Sequence, residues 1–268
     1  MLDEVHALKD ECTALDDLLA TLAPDDWQRP TPFKGWTPWD VVAHLHLSDQ
    51  WGHAALAGRD AFNAAATKLV AALQTGMSLT DYTRQHFAHL PGVTIQAAWR
   101  EGATTLLTTL ATLDPKTRIA WFGPDMGARS FVTARYMEVW AHGQDIYDLL
   151  GRARPYTDAI HAIATLGVKT CGFTFRNRGL TPPEPPPYVR LQAPSGAIWE
   201  WNDPATPDHV TGLAAEFCHV VTQNRNVADT TLEVHGAAAT RWMAMAQCFA
   251  GPPEDPPAPG TRVGVNAA

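Results

Sequence analysis

The hydrophobic period of this chain changes after a long helical stretch, and the change limits the folds open to it. Up to Gly151 the apolar residues recur at three- and four-residue steps, and just beyond residue 187 they alternate. The first spacing buries one stripe of a helix and the second buries one face of a strand. Between them lies TPPEPPP at 181–187, whose prolines lack the backbone N–H that a helix interior or a central strand requires. A helical N-terminal region and a small α+β C-terminal region are therefore expected. The boundaries expected are 1–154 for the helical region, 155–250 for the α+β region and 251–268 for a Pro- and Gly-rich, poorly ordered tail.

The helical region begins with Val5, Leu8, Cys12, Leu15, Leu19 and Leu22 on one stripe, closed by Pro24. A second helix opens at Thr37, an N-cap residue followed by Pro38 at the first helical position and Asp40 at the third, and runs to about Gly58. Thr37 with Asp40 is a capping box with Asp in place of the usual Glu. Helical pieces are expected over 59–75, 78–89 and from Thr94 to Asp114, then a loop or short hairpin over 115–129. Ser130 is expected to cap a long helix, FVTARYMEVWAHGQDIYDLL, stopped by Gly151. Long helices joined by short links imply a bundle whose site lies between facing helices. The α+β region is expected to open with a single helix over 158–176. YVRLQA and AIWEWN form a hairpin about Pro194-Ser195-Gly196. A strand near His209–Thr211, a helix near 212–223, a strand at Thr231–His235 and a helix at 237–249 follow.

Composition narrows the partners. A net charge of −8 argues against nucleic acid, which calls for a basic patch. No apolar run approaches the roughly 20 residues that span a bilayer. The opening MLDEVHALKDEC lacks the basic and apolar regions of a signal peptide, and the four cysteines include no C-x-x-C pair, so a cytoplasmic chain with reduced thiols is expected.

Glu138 and His142 lie four apart and project from one face of the long helix. His44 sits among Val41, Val42, Leu45 and Leu47 on the second helix, and two facing helices can bring the three together. Two imidazoles and a carboxylate suit Zn²⁺, Fe²⁺ or Ni²⁺ and leave coordination open, which is the catalytic pattern. The spacing alone is also common on exposed helices, and a single histidine in an apolar setting is commonly a core residue.

The two segments resemble a known family. Trp36-Thr37-Pro38-Trp39-Asp40-Val41-Val42-Ala43-His44-Leu45 is similar to the W-T-x-x-D-x-x-x-H-L signature of DinB-like metalloenzymes. Met137 to Ile146 carries the E-x-x-x-H-x-x-D motif of their mycothiol-dependent maleylpyruvate isomerase branch. The resemblance covers roughly residues 1–150. It implies a DinB-like four-helix bundle, a divalent ion, usually zinc, on His44, Glu138 and His142, and mycothiol as co-substrate. FRNRG, APSGAIWEW, DHVTG and FCHVVTQNRN in the C-terminal half resemble an actinobacterial metal-binding subfamily. In the isomerase branch that half is a sterol-carrier-like α+β module that helps cover the thiol, so the resemblance implies an active site opening between the two domains.

Asp145, one turn past His142, is a candidate to accept its free ring N–H, or else a solvated surface residue. Arg176 and Arg178 end a helix, where cations meet the dipole, and with Arg225 they are the candidate grips on an anionic thiol or substrate. Trp36 and Trp140 are candidate walls of the site, His46 and His53 are expected to be non-ligands, and Cys218 is expected to be buried and unreactive. The expected function is thiol S-transfer to an electrophilic carbon of a small molecule, since no signature for one particular diacid substrate is evident. The alternatives left open are cis–trans isomerisation of the maleylpyruvate type, metal-dependent hydrolysis, and carriage or sensing of the ion without catalysis.

Overall fold

A computed structural model describes residues 3–122 and 125–262 and divides into two compact units, Met1–Leu149 and Leu150–Ala268. In the first unit, α1 (Asp3–Leu19) buries Val5, Leu8, Leu15 and Leu19 of the predicted stripe together with Leu18, while Leu22 lies beyond its end and is half-buried, and Pro24 opens a 3₁₀ turn after it. Cys12 is only half-buried. Helix α2 (Pro38–Ala57) starts on the predicted box: the Thr37 hydroxyl accepts from the Asp40 N–H at 3.3 Å, and the Thr37 N–H donates to Asp40 Oδ2 at 2.9 Å. Such a cap stabilises a helix by about 1 kcal/mol. Arg84 of α4 (Leu79–Phe87) adds two bonds to the same carboxylate at 2.7 and 2.9 Å. Burial alone would raise the Asp40 pKa, but these bonds outweigh it and hold the carboxyl below its usual range.

The bundle consists of α1, α2, α5 (Gly92–Ala111) and α6 (Ala128–Leu150). Gln96 of α5 donates to Asp16 of α1 at 2.8 Å. Gly52 of α2 lets both neighbours approach: a Cβ there would lie 3.4 Å from Leu106 of α5 and 3.4 Å from Phe131 of α6. Arg129 of α6 pairs with Glu4 of α1 and closes the ring. Helices α3 (Arg59–Gln74) and α4 pack on α2 as additions to the bundle. Helix α6 begins two residues before Ser130. The short ladder of β1 (Arg118–Ile119) and β2 (Met126–Gly127) feeds straight into it, and the Ala128 N–H already donates to Thr117 O, so no side-chain cap is required. Residues 123–124 of the predicted 115–129 loop lie outside the described residues. Among the described residues no helix is long and apolar enough to cross a membrane.

The second unit is the expected α+β type. Strands β3 (Tyr188–Gln192) and β4 (Ile198–Trp201) form the predicted hairpin, with Gly196 at φ 88° in its turn. The sheet order is β4-β3-β5-β6, where β5 (His209–Leu213) runs parallel to β3 and β6 (Glu233–His235) antiparallel to β5. Val189, Leu191 and Val210 are fully buried. The predicted helix over 158–176 is a 3₁₀ turn followed by α7 (His161–Lys169) and α8 (Cys171–Asn177). The interruption is Thr170, whose hydroxyl donates to Leu166 O and Gly167 O at 2.8 and 3.0 Å and competes with the helical ladder. Helix α9 (Ala214–Val221) follows β5, and α10 (Ala237–Met243) stops short of 249 because the Gln247 and Cys248 N–H groups donate to Thr174 Oγ1 and Val221 O.

The tail departs most from expectation. Residues 251–262 pack back on the unit instead of trailing from it, and 263–268 lie outside the described residues. Gln247 donates to Pro252 O, Gln223 and Arg178 to Glu254 O, Asn226 to Pro257 O, and Asp229 accepts from the Gly260 N–H. Proline-rich backbone has spare carbonyls, and the amide side chains of this unit satisfy them.

Gly167 of α7 faces α9, where a Cβ would lie 2.8 Å from Val221 and 3.0 Å from Phe217. Gly167→Ala should destabilise the protein in chemical denaturation. Overpacking of this kind costs about 1–3 kcal/mol, against a helix-propensity gain of about 1 kcal/mol for alanine. A raised midpoint would show that the two helices separate freely.

Candidate metal centre

The capping box fixes where α2 starts, and His44 lies one turn beyond Asp40 on it. Glu138 and His142 lie one turn apart on α6. The structure brings all three together. His44 Nε2 and His142 Nε2 stand 3.4 and 3.5 Å from Glu138 Oε2. One ligand atom from each residue lies within 4.8 Å of the others. These separations are long for charge-assisted hydrogen bonds, which favour about 2.7–2.9 Å. They match donors set around one centre, because ligands about 2.1 Å from an ion at tetrahedral angles lie about 3.4 Å apart. The donor set and its spacing fit a divalent ion. No other group of this kind occurs among the described residues.

The electrostatics are those of a tightly coupled buried cluster. Burial opposes charge on Glu138, but the His142 and His44 imidazoles beside it outweigh that and hold the carboxyl well below its ordinary range. Burial likewise opposes a charged His142, yet Asp145 and Glu138 raise its pKa to about 9. His44 is lowered, chiefly by burial. Without a metal the cluster therefore favours charge on Glu138 and His142 and disfavours it on His44.

Asp145 is not a surface residue. Its side chain is 1% exposed, and Oδ2 stands 3.4 Å from His142 Nδ1. An outer carboxylate of this kind fixes a ligating ring and raises its basicity. Trp36 stacks on His142 at 5.4 Å between centroids with the planes 13° apart, and it lies 5.3 Å from His44 at 55°. Phe33 meets the His142 ring edge-on at 5.3 Å. No periodic signal marks Phe33, which lies in a loop, and the sequence did not single it out.

Other candidates are placed elsewhere. Trp140 is 1% exposed and packs in the core, about 200° round α6 from Glu138. In the second unit, Arg176 folds its exposed guanidinium over Gly172. Arg178 donates to Met245 O and Glu254 O and pairs with Asp255 at 3.3 Å, so the structure commits it to the tail. Arg225 is buried and donates to Asn224 O at 2.8 Å. His46 contacts Gln50, His53 contacts Gly102 O, and neither joins the cluster. Cys218 is fully buried and its thiol pKa is pushed well above the ordinary value, chiefly by that burial.

Three comparisons bear on the assignment. Residues 8–147 match the family model described as the mycothiol maleylpyruvate isomerase N-terminal domain. Two uncharacterized proteins of Mycobacterium tuberculosis are each 38% identical to the chain over 249 residues, covering 93% of it and 96% of their own length. Among solved structures, the mycothiol-dependent maleylpyruvate isomerase aligns with a TM-score of 0.54 at 13% identity, over 81% of this chain and 87% of that one. A histidine-to-alanine mutant of that enzyme aligns at 0.53 and 12%, with the same coverage. At such identities the likeness is one of fold.

Proposed function

This chain belongs to the mycothiol maleylpyruvate isomerase N-terminal domain family, and from that premise we propose that it is a mycothiol-dependent metalloenzyme that isomerises a small unsaturated acid. The observation that carries the proposal is the convergence of His44, Glu138 and His142 inside the segment that the family model matches. The three would hold a divalent ion, zinc by the proposed reading, which when bound would act as a Lewis acid and favour the thiolate form of a coordinated thiol.

The chain's own groups prepare that site. Nε2 of His142 must release its proton before it can serve as a donor, while Nδ1–H stays directed at Asp145. Glu138 supplies one negative charge at the centre of the cluster. Trp36 and Phe33 lay apolar ring surface over His142. The four cysteines are poorly placed as nucleophiles: Cys171, Cys218 and Cys248 are buried in the core, and burial first, then Asp49, raises the Cys12 thiol well above its ordinary pKa. An external thiol is the nucleophile that family membership favours, with water as the alternative. Its sulfur would add to one carbon of the conjugated double bond, and the electron pair would move onto the substrate carbonyl. Rotation about the resulting single bond and expulsion of the same sulfur would restore the thiol and give the other isomer.

The same arrangement serves S-transfer if the adduct is released intact, the outcome favoured by the absence of a diacid signature in the sequence. Family membership favours isomerisation. Turnover of maleylpyruvate should be compared with mycothiol, with an unrelated thiol and without thiol. Isomer formed only with mycothiol, and mycothiol recovered unchanged, is expected. A stable adduct seen by mass spectrometry would establish the transferase, and equal turnover in all three mixtures would make water the nucleophile.

A further inference from the structure

The two imidazoles of the cluster are supported differently. His142 has Asp145 at Nδ1, whereas His44 Nδ1 is buried and has no hydrogen-bond partner among the described residues. A ligating ring normally depends on such an outer partner for its orientation. Packing must do this for His44, and the aromatic neighbour it shares with His142 is Trp36.

Trp36 is itself held on both sides. Its carbonyl accepts from the Thr31 N–H at 2.7 Å, and its own N–H donates to Phe33 O at 2.8 Å. Lys34 and Gly35 take successive left-handed conformations, φ 51° and 69°, which turn the loop tightly enough to close those bonds. The next residue, Thr37, is the N-cap of α2. The indole is thus tied by its backbone to the helix that carries His44, while its face lies on the ring from α6.

We propose that Trp36 is a positioning residue: stacked on His142 and inclined over His44, it fixes both ring planes so that their Nε2 atoms face Glu138, replacing the outer hydrogen bond that His44 lacks. The inference rests on His44, Glu138 and His142 being the metal ligands. It predicts that metal affinity depends on a flat ring at position 36 and not merely on apolar bulk.

The test uses the full chain with Zn²⁺ and Co²⁺. Chelator competition should show Trp36→Leu binding Zn²⁺ at least tenfold more weakly, within the roughly 10–100-fold range of outer-shell partners, and Trp36→Phe recovering most of the loss. Co²⁺ loading of the wild type should quench a share of tryptophan emission that disappears in Trp36→Phe, and the Co²⁺ absorption band should change in Trp36→Leu. If the wild type takes up no ion in stoichiometric amount, the ligand assignment fails. If it does, yet Trp36→Leu matches it in affinity and spectrum, the positioning role is overturned. Should Trp36→Leu not fold, the emission test with Trp36→Phe decides, and an unchanged quench there overturns the role.

Discussion

His142→Ala is expected to abolish turnover and metal retention together. The substitution removes one of the three proposed protein donors and leaves Glu138 facing a single imidazole at 3.4 Å. Its cost in affinity should exceed the roughly 10–100-fold expected for Asp145→Asn, which removes only an outer partner. Metal content after dialysis, read beside turnover, checks both. A variant that keeps stoichiometric metal and full activity would remove His142 from the site. The pH dependence has a definite sign. His142 binds a proton with a pKa of about 9, and metal uptake below that pH must displace it. Affinity should therefore rise with pH, by up to about tenfold per unit, and level off above about 9. The metal-free protein should behave oppositely in stability. The folded pKa of His142 lies above its ordinary 6.5, so its contribution is full below 6.5 and is lost as pH rises through about 9. Denaturation with a chelator present should show this loss.

Arg135→Met should cost about 3–5 kcal/mol of stability, since it strands a buried carboxylate. Arg135 and Asp49 are each about 3% exposed, and the guanidinium donates to Asp49 Oδ1 at 2.8 and 3.2 Å. Burial raises the Asp49 pKa, with Arg135 pulling against it. Without Arg135 the carboxyl should rise further and take up a proton. A group whose folded pKa is raised costs stability above that pKa, so the defect should shrink as pH falls. Asp49→Leu combined with Arg135→Met should recover most of the loss, because a buried pair replaced as a unit is often neutral or better. A single variant with an unchanged denaturation midpoint would show that water reaches Asp49. The pair also bears on the candidate metal centre. Asp49 lies five residues beyond His44 on α2, and Arg135 three before Glu138 on α6, so the bond that joins the helices also sets how they slide past one another.

What local interactions determine was legible without coordinates. The stripe of α1, the Thr37–Asp40 box, the Glu138–His142 pairing on one face and the hairpin about Gly196 each depend on residues a few positions apart. The period of a helix or strand fixes such relations whatever surrounds them. Where a local competitor won, the expectation missed by a few residues: Thr170 interrupts the helix over 158–176, and β2 starts α6 before Ser130 could cap it. The motif likeness named the three ligand candidates that the structure brings together, whereas composition and spacing alone favoured a core role for His44 over a metal.

Tertiary structure decided the rest. His44 and Glu138 are 94 residues apart in the chain, and no periodicity relates them. Their meeting depends on the register of α2 against α6, which comes from the Asp49–Arg135 bond and from the space that Gly52 leaves for Phe131. Packing likewise buried Asp145, turned Trp36 and Phe33 onto the imidazoles, sent Trp140 into the core, committed Arg178 to the tail and made β5 the parallel neighbour of β3. The sequence by itself determined which side chains share a face. Which faces meet depended on shape and on buried partners far along the chain, whose energies exist only once the helices are in contact.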